Sequence, residues 1–151
     1  MELVTLYKRV VGLDVHQAKI TVCAIIEDET GDVTVELAEF GGFKRDRQAL
    51  AEWVSTRDPE VVVMESTGIY WKSPYAALEK VGIVATVVNA RHVKTVPGRK
   101  TDWADAQWLA TLARSGLLRA SFVPPAKLRE LRQVARQRQQ LVGILSGEKN
   151  R

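Results

Sequence analysis

The chain opens on stretches that change hydrophobic period at short intervals. Arg9 to His16, "RVVGLDVH", is apolar on both sides until it meets a carboxylate, which predicts a buried strand ending in Asp14. Lys19 to Asp28, "KITVCAIIED", is rich in β-branched residues and predicts a second strand. Only Gln17 and Ala18 separate the two, so they form a tight hairpin. "ETGD" is a turn. Val33 to Phe40 alternates Val33, Val35 and Leu37 with polar residues and makes a third strand. Gly41 and Gly42 break it, and "KRDRQALAEWVSTR" follows as a helix with Leu50, Trp53 and Val54 facing inward.

Pro59 introduces a continuous apolar run, Val61 to Met64, the pattern of a central parallel strand. It ends in Glu65. "SPYAALEKVG" is a helix with Ser73 as N-cap, Pro74 at the first position and Gly82 just past its end. "IVATVVNA" is the fifth strand, and "RHVKTVPGRK" is a basic loop. A helix of about 14 residues follows, with Thr101 as N-cap, the apolar period Ala104, Trp108, Leu109, Leu112 and Ala113, and Gly116 as its stop. The order β-β-β-α-β-α-β-α predicts an α/β fold, a mixed five-stranded sheet with flanking helices. Past "VPP", residues 124–151 read as an extended C-terminal helix with a broken apolar seam. Arg129, Arg132 and Arg136 stack along one side of it. Residues 1–123 are read as one domain and 124–151 as the start of a helical linker.

Composition adds few exclusions. A hydrophobic content of 46% and a charged content of 26% fit an ordinary globular chain with a proper core. No apolar run reaches the about 20 residues of a membrane span. The N-terminal "MELVTLYKRV" has no secretory leader pattern, so a cytoplasmic protein is expected. Cys23 has no second cysteine to pair with and lies in an apolar run, so it is read as a small buried hydrophobe. Charge is more telling. Residues 1–88 carry 9 Lys/Arg against 14 Asp/Glu, whereas residues 89–151 carry 13 against 4. A basic final third points to a polyanion partner such as nucleic acid, or simply to a solvated helix face. Two of the four acids in that basic third are Asp102 and Asp105.

Those two acids have a plain structural explanation. Carboxylates in a first helical turn match the helix dipole. They also lie about 60° apart around the helix and one turn apart along it, so both can point at one place. If the first strand neighbours the strand of Glu65, Asp14 and Glu65 end at the same sheet edge. A last helix crossing that edge then adds Asp102 and Asp105. Four converging carboxylates cannot all stay ionised without cations. Hard oxygen donors favour Mg²⁺ or Mn²⁺, and two such ions about 4 Å apart suit in-line phosphodiester chemistry.

These motifs resemble a known family. The element order is similar to the RNase H-like fold of the RuvC-type resolvases. "GLDVHQAK", "VVMESTGIYW" and "NARHVKTVPGRKTDWADAQWLA" resemble the three motifs of the DEDD transposases of bacterial insertion sequences. The resemblance implies Asp14, Glu65, Asp102 and Asp105 as catalytic metal ligands for Mg²⁺ or Mn²⁺, two ions in all. It implies action on double-stranded DNA guided by a structured RNA, with a serine nucleophile on a C-terminal domain that lies outside these residues. It also implies a DNA-associated bacterial protein that assembles as a dimer or tetramer through the C-terminal helix. Trp103, a large aromatic between the last two acids, is a mild departure.

Other residues carry two readings each. His16 follows Asp14 by two and either orients it or is a structural strand-end histidine. Ser66 and Thr67 beside Glu65 are supporting or turn residues. Tyr70 and Trp71 either stack on a base or pack under the sheet edge. Arg91, Lys94, Arg99 and Lys100 flank the acidic motif as phosphate contacts. Arg129, Arg132 and Arg136 either contact a nucleic-acid backbone or solvate the helix. Two rivals remain: a stand-alone RuvC-like junction nuclease, and a non-catalytic nucleic-acid-binding or dimerisation module. An actin-like ATPase is disfavoured, since no glycine-rich phosphate loop follows the first strand.

Overall fold

The computed structural model describes residues 5–66, 68–88 and 105–118. Five strands and three helices lie in these segments: β1 (Arg9–Val15), β2 (Lys19–Glu27), β3 (Val33–Gly41), α1 (Lys44–Thr56), β4 (Val61–Ser66), α2 (Lys72–Lys80), β5 (Thr86–Val88) and α3 (Asp105–Arg114). The strands form one sheet in the order β3-β2-β1-β4-β5. The β1–β2–β3 meander is antiparallel, and β4 and β5 run parallel to β1. The apolar strand of Val61 to Met64 therefore lies inside the sheet, as its two-sided hydrophobicity requires.

Each face of the sheet has its own cover. On one face Val10, Cys23 and Ile25 pack with Ala106 and Ala110 of α3. Val63 and Val88 pack there with Trp108, Leu109, Leu112 and Ala113. Strand alternation turns Val11, Leu13, Val22, Val62 and Met64 to the other face, where all five are buried. Helices α1 and α2, with buried Leu50, Val54, Tyr75 and Leu78, cover that side. The described residues bury no polar or charged residue in the core. Removing the Leu109 side chain to Ala would cost about 2–5 kcal/mol, since it is fully enclosed.

Some sequence expectations need correcting. Helix α2 starts at Lys72 behind Trp71, not behind Ser73, and no side chain caps it. Pro74 is tolerated inside the first turn because its missing N–H would have had no helical partner. The ring of Trp71 instead packs edge-on against Tyr75, 5.6 Å away. Gly82 does end the helix, at φ +82°, with the Ile83 N–H closing back to the Leu78 carbonyl. The fifth strand pairs only from Thr86; Val84 before it is exposed. Trp53 is not core. It lies between Phe40 and the Arg57 guanidinium, which stacks 3.5 Å over its ring and pairs with Glu36. On the edge strand β3, Val33, Val35 and Leu37 are exposed, because α3 packs over β2, β1 and β4 and toward β5 rather than over β3. The basic loop, Thr101 and the C-terminal helix lie outside the described residues.

Candidate active site

The site begins with a glycine. Gly12 and Asp14 share the face of β1 that α3 covers. A Cβ on Gly12 would stand 2.6 Å from the Ala106 carbonyl oxygen and 2.7 Å from the Ala110 nitrogen. Both are backbone atoms, so only glycine lets the helix settle this close. The helix also has a fixed direction. Its C-terminal carbonyl, that of Arg114, accepts the N–H groups of Leu6 and Tyr7 at 2.8 and 3.1 Å, just ahead of β1. Arg114 also reaches Glu27 at 3.4 Å. Helix α3 thus runs antiparallel to β1, and its first residue, Asp105, lies at the end of the sheet where Asp14 sits.

Glu65 joins Asp14 through strand register. The two are Cα partners in the parallel β1–β4 ladder, so they extend from the same face on strands about 4.8 Å apart. Asp14 is largely enclosed, its side chain 13% exposed, and Glu65 is half-buried. Asp14 Oδ2 lies 3.0 Å from His16 Nε2, and that ring is mostly in solvent. The His16 N–H donates to the Lys19 carbonyl at 2.9 Å, which closes the hairpin and pins the histidine beside Asp14. Asp105 is exposed in the first turn of α3, where the dipole favours an anion.

Register therefore joins Asp14 to Glu65, and a hydrogen bond joins Asp14 to His16. Asp105 stands at the same end of the sheet. Among the described residues, no three His, Cys, Asp or Glu side chains stand close enough to hold a metal ion. Asp102 lies outside the described residues, as do Thr67, Arg91, Lys94, Arg99, Lys100, Arg129, Arg132 and Arg136. Ser66 ends β4, paired in register with Val15. The donor chemistry fits a hard divalent cation: carboxylate oxygens side by side, with one of them held in place by a histidine. Cys23 offers no rival nucleophile, since burial pushes its thiol up to about 11. Gly12 is the residue that motif reading passes over. Its signal is a glycine two places before an acid, inside an otherwise apolar run.

A sequence model for the IS110-type DEDD transposases, described as Transposase, matches residues 11–151. The chain belongs to this DEDD transposase family. No curated protein sequence matches it. Among solved structures, this transposase-family chain is similar to Thermus thermophilus RuvC, with a TM-score of 0.53 and 14% identity over 75% of this chain and 99% of that one. It is similar also to T. thermophilus RuvC in complex with a Holliday junction substrate, with a TM-score of 0.54 and 13% identity over 76% and 100%. At these identities the likeness establishes the fold, which is RuvC-like. None of the described helices is long and apolar enough to cross a membrane.

Proposed function

We propose that residues 1–123 are the metal-dependent catalytic domain of a DNA transposase, with 124–151 beginning a helical linker. The observation that carries this reading is the pairing of Asp14 with Glu65 in register, at the end of the sheet where α3 begins. Asp14, Glu65, Asp102 and Asp105 hold Mg²⁺ or Mn²⁺. Two bound ions would supply charge neutralisation for the attacking and leaving oxygens of a phosphodiester. The chain's own residues do the rest. His16 fixes the rotamer of Asp14 through its 3.0 Å contact. Arg91, Lys94, Arg99 and Lys100 grip DNA phosphates beside the acids, and Arg129, Arg132 and Arg136 contact the backbone of DNA or guide RNA. Ser66 and Thr67 support Glu65. The partners are double-stranded DNA, a structured guide RNA and further copies of the chain through the C-terminal helix, in the bacterial cytoplasm. The nucleophilic serine comes from a further domain.

Calorimetric titration with Mn²⁺ tests the core of this reading. The intact chain should bind saturably, and Glu65→Ala and Asp102→Ala should each abolish binding while circular dichroism stays native. Binding that survives both substitutions would sink the four-carboxylate site.

A further inference from the structure

On the side of the sheet away from α3, the same carboxyl-terminal edge opens into a cavity of about 210 Å³. Its lining is chemically unlike the acidic side. Arg47 from the first turn of α1 and Lys72 from the start of α2 both face it, with Ser73, and His16 stands at its rim. Neither cation forms an ion pair with the described residues, although fourteen Asp and Glu lie among them. Asp46, the nearest acid in sequence, is committed elsewhere, accepting the Phe43 N–H at 3.0 Å. The Arg47 Nε is buried and makes no hydrogen bond with the described residues. Two cations with no carboxylate partner among the described residues suit a ligand with oxygen lone pairs. Two helices also begin here, and the positive end of the α2 dipole, with no acid in its first turn, adds to the potential. Ile69 and Tyr70, both solvent-exposed, supply an apolar platform next to the cations.

We infer that this cavity is a subsite for the phosphodiester backbone of the DNA strand that leaves the carboxylate site, with Arg47 and Lys72 each holding a phosphate and Tyr70 offering its ring to the adjoining base. Cations beside an exposed aromatic ring are the pattern that grips a single strand without reading its sequence. His16 links the two sites, contacting Asp14 on one side and lining the cavity on the other. A strand threaded past Asp14 and Glu65 thus meets Arg47 and Lys72 next. The inference rests on the proposed DNA-cleaving function, because that reading supplies the strand.

The test uses the full chain and a fluorescent (dT)12 oligonucleotide, followed by anisotropy across a salt series. The Arg47 Nε–H resonance, identified by its loss in Arg47→Lys, is followed in parallel by NMR. The wild-type chain should bind, with a saturable shift of that resonance. The Arg47→Ala/Lys72→Ala double variant should lose about tenfold in affinity at low salt, and its salt slope should fall by about 1.4, as two lost phosphate contacts require. Lys72→Ala alone, at an exposed position, should lose half of that slope. Binding by the wild type with an unmoved resonance and an unchanged slope in the variants overturns the subsite and leaves the DNA reading standing. Absence of binding by the wild type overturns both. A shift with (rU)12 and none with (dT)12 overturns the assignment to DNA.

Discussion

At its carboxyl-terminal edge the sheet presents opposite chemistries on its two faces. Beneath α3, the strands end in Asp14 and Glu65, and the helix begins with Asp105. Beneath α1 and α2, the same edge carries Arg47 and Lys72 around a cavity. Both sides stand on one apolar sheet, in which the described residues bury no polar side chain. The difference comes from which part of each covering helix reaches the edge. Helix α3 runs against β1 and starts there with an acid, while α1 and α2 start there with basic residues. Side by side, such surfaces suit a polyanion whose reacting phosphate needs a metal and whose neighbouring phosphates need cations.

The comparison is broken most severely at Gly12. Gly12→Val would push a side chain into the α3 backbone, and neither partner is a flexible group that can yield. Overpacking usually costs about 1–3 kcal/mol, and backbone contact puts this case at or above the top of that range. Thermal melting should drop by ten degrees or more, with Mn²⁺ binding lost alongside. A melting point within two degrees of the parent would show that α3 does not dock as described. His16→Ala is a finer cut, since it removes a contact without touching the core. Metal affinity should fall about 10- to 100-fold, as for other residues that orient a ligand, while the melting point stays put. An unchanged affinity would reduce His16 to a hairpin residue.

The smallest effect concerns pH. The Cys23 thiol is raised from 9.0 to about 11 by burial. Below pH 9 both folded and unfolded chains hold the proton, so stability is indifferent to it. Above pH 9 the unfolded thiol ionises while the folded one does not, so stability declines until about pH 11. Urea unfolding between pH 8 and pH 11 should show this decline, and Cys23→Ala should flatten it. A parallel decline in that variant would assign the effect to other groups.

Much of this was readable from residue order. The strand-sized apolar runs placed β1 and β4, and their terminal acids marked the edge. Parallel pairing of those strands then followed from the two-sided hydrophobicity of Val61 to Met64. What local pattern could not deliver was the outcome of competition between neighbours. Ser73 carries good capping chemistry, yet the packing of Trp71 on Tyr75 accompanies a helix that starts two residues earlier than that cap requires. Trp53 has an inward helical period, but Phe40 and Arg57 hold it at the sheet margin. Arg47 and Lys72 are 25 positions apart, in helices joined by a strand, so no motif ties them together. Gly12 was silent for a related reason: its partners, Ala106 and Ala110, come from the far end of the domain.

That last separation bears on how the protein is made. Gly12 leaves the ribosome well before the helix that seats on it, which is the last described element to emerge. Asp14 and Glu65 are therefore on the growing chain long before Asp105 exists to join them. Under the proposed function, a polypeptide released early carries half of its acids and no means of cutting DNA. Completion of the helix is then the moment at which synthesis brings the acids of the sheet and of the helix to one edge.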